Sequence, residues 1–112
     1  NQEMLAKFPS TFKIDLDNNH VPENITWEAT DSKSDINKAK AVIISIWDGV
    51  DKTSLKIDLW TKEMMAEEMK FFMFQILDSL AATYKKSVGD DKVAMEIKEF
   101  AKRIGKMSDV LK

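Results

Sequence analysis

His20 is the only side chain in the 112 residues whose ordinary titration falls near neutral pH. It stands in Asn18-Asn19-His20, with Asp17 and Glu23 close in sequence, and a histidine–carboxylate pair can serve as a general base. No serine or threonine in a nucleophile motif accompanies it, so a turn histidine bonded to its own loop is the plainer reading. Asp15, Asp17 and Asn19 imitate the first, third and fifth ligands of a calcium loop. The imitation then fails: His20 stands where the loop needs glycine, and Thr26 where it needs a bidentate glutamate. Asn24-Ile25-Thr26 has the form of a glycosylation acceptor, read as coincidence in a chain without cysteine or a secretion signal. The three glycines, Gly49, Gly89 and Gly105, are isolated, so no phosphate-cradling loop is formed. Lys98, Lys102, Arg103 and Lys106 could line one helix face. Glu96 and Glu99 share that surface, Glu99 is placed to pair with Arg103, and no solvent-side aromatic interleaves for base stacking. The stripe reads as a solvated helix face, not as a nucleic-acid site.

Aromatic and methionine placement is more informative. If Leu55, Ile57 and Leu59 face inward, Trp60 faces outward or occupies the corner between sheet and helix. Met64, Met65, Met69 and Met73 crowd the start of the following helix, where flexible thioethers suit either irregular core gaps or an adaptable binding surface. Trp60, Trp47, Asp58 and Met64 are therefore the candidate partner-binding residues, and no catalytic, cofactor-binding or metal-ligating set is expected.

Composition narrows the chemistry further. Without cysteine there is no thiolate catalysis, disulfide or iron–sulfur ligation, and one histidine excludes a multi-histidine metal site within the chain. Seventeen basic and nineteen acidic residues net −2, unlike a strongly basic nucleic-acid binder. No apolar run reaches the length of a membrane span, so no membrane insertion is expected. Asn1 is not an initiator methionine; residues 1–10 read as an N-terminal extension or the remnant of a tag, and a cytoplasmic location is the default.

The elements that must position these residues fall into two periods. Phe12, Ile14 and Leu16 alternate with polar residues, as do Ile25, Trp27 and Ala29 after the turn-like stretch 18–24, which predicts a hairpin. Residues 31–38 are polar and read as a surface connection. Ala41 to Trp47 is apolar on both faces, as a central strand would be, and Asp48 to Lys52 supplies a turn with Gly49 free to take a positive φ. Leu55, Ile57 and Leu59 alternate in the fourth strand. Beyond Met64 the period becomes helical: Met65, Met69, Phe72, Met73, Ile76, Leu77, Leu80 and Tyr84 form one stripe, closed by Gly89. Asp90 and Asp91 open a second helix whose Val93, Ile97, Phe100, Ile104, Met107 and Leu111 run 4-3-4-3-4. That seam either packs on its neighbour or on the sheet, or makes a homodimer. The expectation is one α+β domain over residues 11–112: a four-stranded antiparallel, meander-like sheet over 11–60, then two helices over 64–112 packed on the sheet or on each other.

In order along the chain, Asp17-Asn18-Asn19-His20-Val21-Pro22-Glu23 with Ile25, Trp27 and Ala29, then Lys40-Ala41 and Ser45-Ile46-Trp47-Asp48, resemble the gliding motility protein GldC family. The resemblance is strongest over Leu55-Lys56-Ile57-Asp58-Leu59-Trp60-Thr61-Lys62-Glu63-Met64 and continues through Glu68-Met69-Lys70 and Phe72. Met65 stands where the family commonly has a proline. The resemblance implies a small, soluble, cytoplasmic accessory protein of bacterial gliding, without an assigned reaction or catalytic residues to carry over. The expected function is therefore non-enzymatic, binding a protein of the gliding or associated secretion machinery. The alternative is a small-ligand or lipid-binding module with a cavity between the methionine-rich helix and the sheet, and an enzyme using His20 with Asp17 or Glu23 comes third.

Overall fold

The computed structural model describes residues 9–29 and 37–112. They divide into two compact units, one ending at Met64 and the other beginning at Met65.

The regular elements described in the first unit are all strands. β1 (Pro9–Leu16) and β2 (Pro22–Ala29) pair antiparallel, placing Phe12 opposite Trp27 and Ile14 opposite Ile25, as the alternation predicts. β3 (Asn37–Ala39) adds to the other side of β2, with Ala39 opposite Ile25. Ile14, Ile25 and Ala39 thus form one cross-strand row, and its central member Ile25 is only 1% exposed. β4 (Ala41–Asp48) and β5 (Thr53–Trp60) pair with each other in a separate two-stranded sheet.

The expected single four-stranded sheet is therefore corrected to sheets of three and two strands. The cause is local: Lys40 bends the chain between β3 and β4, so residues before it pair with β2 and residues after it with β5. β3 also corrects the reading of 31–38 as connection throughout. Asn37 and Lys38 are polar and carry no apolar alternation, although their backbone completes the ladder; residues 31–36 lie outside the described set. Nor is β4 a central strand. Among the described residues it pairs with β5 alone. At the β4–β5 turn, Asp48 accepts hydrogen bonds from the Val50 and Asp51 N–H groups, and the positive φ falls on Lys52 (53°), not on Gly49.

One carboxylate organises the opposite end of this unit. Asp17 accepts from the N–H groups of Asn19 (2.8 Å) and Val21 (2.9 Å), closing the β1–β2 turn. It also receives the Lys62 ammonium at 2.6 Å, which ties that turn to the segment leaving β5. The Lys62 hydrogen bond, then that from Val21, hold the Asp17 carboxyl down at about 2 from an ordinary 3.8, and the same pairing raises Lys62.

The second unit is a helical hairpin, α1 (Ala66–Val88) and α2 (Asp91–Met107). Gly89 ends α1 at φ 83°, in the left-handed region that glycine adopts without strain, and its N–H donates to the Lys85 carbonyl. Asp90 caps α2 by accepting from the Lys92 and Val93 N–H groups. With only two residues between them, the helices must run antiparallel and pack on each other. Their contact line on α2 is Ala94, Lys98, Ala101 and Gly105, not the apolar seam. Lys98 meets Asp78 at 2.8 Å, and a methyl added to Gly105 would lie within 3.0 Å of both Phe74 and Leu111. Small residues let the two backbones approach closely.

Ile25→Ala lowers unfolding free energy by about 2–5 kcal/mol in urea titration, because it opens a cavity where three strands meet. By contrast Val50→Ala, at a turn residue 90% exposed, changes stability by less than about 0.5 kcal/mol. Because the Asp17 pKa is depressed, its contribution is complete above the unfolded value of about 4 and is lost as pH falls through about 2. Carbon NMR should show Asp17 titrating near 2, and Lys62→Met should move that midpoint upward; an unmoved midpoint would deny the tie.

Candidate interaction surface

The residues able to do chemistry do not converge. His20 is exposed in its turn at φ 62°, and its N–H donates to the Asp17 carbonyl. The Asp17 carboxylate is engaged by two backbone N–H groups and Lys62, so the calcium-loop imitation is a turn with its acceptor in use. Among the described residues no group of three His, Asp or Glu is placed to hold a metal ion. Asn24 lies within β2, opposite Asp15.

The basic residues of α2 are largely engaged as well. Lys98 pairs with Asp78, and Lys102 with Glu99 at 3.6 Å, while Arg103 lies 5.5 Å over the Phe100 ring. The expected Glu99–Arg103 pairing is thus replaced by Glu99–Lys102. Between the helices, a groove of about 370 Å³ is lined by Ala81, Ala82, Ala94 and Met95 with Asp78, Lys85, Asp91 and Lys98. Its charged groups satisfy one another, Lys98 with Asp78 and Lys85 with Asp91.

The most exposed apolar feature of the first unit is the β4–β5 ribbon. Its register fixes two faces. One carries Trp60 opposite Ala41, Asp58 opposite Ile43, Lys56 opposite Ser45, and Trp47 opposite Ser54. Trp47, Asp58 and Trp60, three of the four candidate binding residues, therefore share a face. The two tryptophans sit at opposite ends of it, roughly 20 Å apart at strand rise. Asp58 is paired with Lys56 at 3.5 Å. Met64 lies outside the ribbon, half-buried in the following turn, where its N–H donates to the Thr61 carbonyl. Of the neighbouring methionines, Met65 and Met73 are exposed and Met69 is half-buried.

The other face carries three aliphatic pairs, Val42 opposite Leu59, Ile44 opposite Ile57, and Ile46 opposite Leu55, and ends beside the turn at Asp48 opposite Thr53. Exposure rises toward the turn, to 50% at Ile46 and 57% at Leu55. Sequence reasoning assigned Leu55, Ile57 and Leu59 to a buried face and so passed over them as binding residues. The alternation signals that the face is apolar but carries no information on whether anything covers it.

No helix among the described residues is long and apolar enough to cross a membrane. Neither the curated proteins nor the solved structures include a match to this chain. A family model does match, that of the gliding motility-associated protein GldC-like family, over residues 22–110. The match takes in β2, β3, the whole β4–β5 ribbon and both helices; β1 precedes it, as does the Asp17 turn, which also carries the resemblance. The chain belongs to the gliding motility-associated GldC-like family.

Proposed function

We propose that this chain is a non-catalytic, cytoplasmic accessory protein of bacterial gliding, and that it binds another protein of the gliding or associated secretion machinery through the β4–β5 ribbon. Family membership supports the association with gliding. The observation that carries the binding role is the aliphatic face of the ribbon, half-exposed at Ile46 and Leu55. Complete burial of a leucine or isoleucine is worth roughly 1.5–3 kcal/mol, and about half of that remains unrealised at each of these positions. A protein surface laid on the face would realise it. Trp60 and Trp47 on the opposite face would add aromatic anchors of the kind that dominate interfaces.

Complementation of a gliding strain that lacks the chain tests this directly. Ile46→Glu and Leu55→Glu should abolish spreading while leaving the circular dichroism spectrum and, within about 1 kcal/mol, the stability unchanged. Wild-type spreading by both folded variants would refute the ribbon as the binding surface. Trp60→Ala separates the faces: reduced partner capture assigns Trp60 to the interface, and undiminished capture removes it.

A further inference from the structure

We propose that α2 is a self-association surface, on which the α2 of a second copy of this chain docks antiparallel about a two-fold axis near Phe100. This uses residues distinct from the β4–β5 ribbon and does not depend on the function proposed above.

The first observation is that the heptad-spaced seam within α2 is not consumed by the helical hairpin; only Leu111, beyond the helix end, folds back over Gly105 on the side of Phe74. The line facing α1 runs through Ala94, Lys98, Ala101 and Gly105, leaving Val93 39%, Phe100 45% and Met107 75% exposed. Ile97 and Ile104 are half-buried between the two lines. A 4-3-4-3 row of large apolar residues on a helix presents a continuous seam that a second helix can fill with knobs and holes.

The second observation is charge. Glu96 and Arg103 precede Ile97 and Ile104 and so flank the same side of the seam; both are exposed, and among the described residues neither forms an ion pair. Arg103 already leans over the seam, above the Phe100 ring. In an antiparallel pair that layers Ile97 on Phe100 of the second copy and Val93 on Ile104, Glu96 of each chain comes beside Arg103 of the other, twice by symmetry. The same register overlaps α2 along its whole length, Asp91 to Met107, and sets its dipole against that of the second copy. A parallel pair is disfavoured by the opposite flank. It would set Glu96 and Arg103 against Ala101 and Ser108, which offer no charge.

Sedimentation equilibrium on the full chain tests the proposal. The wild type should dimerise, and Glu96→Arg or Arg103→Glu alone should raise the dissociation constant by about tenfold, since each sets like charges together twice. The double variant Glu96→Arg, Arg103→Glu should return it to near the wild-type value. Phe100→Glu should give a folded monomer. A wild-type chain that is monomeric at millimolar concentration overturns the proposal, and so does a double variant no better than the singles. Because the chain has no cysteine, Met107→Cys supplies a further arm: ready disulfide linkage between two copies would indicate a parallel pair and also overturn it.

Discussion

The β4–β5 ribbon has an apolar face, and among the described residues no third strand extends its sheet. An isolated β-hairpin is marginal in water, and sheets gain independent stability from further strands or from a layer against the face. Here the bend at Lys40 hands the first part of the Asn37–Asp48 run to β2 and the rest to β5. What results is a ribbon whose six aliphatic residues align in three cross-strand pairs, with the pair nearest the turn half in water. The exposure is a product of topology and not of an unusual composition.

The three-stranded sheet shows the contrast. Ile25 has a strand on each side and is buried, whereas the equally apolar Ile46 has, among the described residues, one neighbour strand and is exposed. Polar groups in this unit serve the frame. Asp17 spends its carboxylate on the β1–β2 turn and on Lys62, and Asp48 spends its own on the β4–β5 turn. Groups so engaged are poor candidates for catalysis, in keeping with a role carried by surface. In the helical unit, Ala94, Ala101 and Gly105 let the helices approach, and Val93 and Phe100, one position from the two alanines, remain exposed.

Much of this was legible in the amino-acid order. The alternation of Phe12, Ile14, Ile25 and Trp27 located the first hairpin, and Gly89 with Asp90 marked the joint between the helices. β3 was not legible, because Asn37 and Lys38 contribute backbone and no apolar side chain to the ladder. Gly49 drew attention as the turn residue, yet Asp48 organises the turn through its carboxylate and Lys52 takes the left-handed conformation. The heptad spacing in α2 was visible, but its use was not: a pattern search weights large side chains, and Ala94, Ala101 and Gly105 gave no signal. The same limit applies to the candidate site. Trp47, Asp58 and Trp60 fall on one face, while Leu55 reads as inward-facing from its alternation, because periodicity distinguishes faces and not their covering.

The central claim is that the aliphatic face of the ribbon is covered by another protein in the gliding cell. A photo-crosslinking side chain placed at Leu55, with the same group at Val50 in the exposed turn as a control, measures this in place. Leu55 should yield an adduct with a component of the gliding or secretion machinery, and Val50 should yield much less of it. Irradiation that gives no adduct at Leu55, or links it only to other copies of this chain, would contradict the claim.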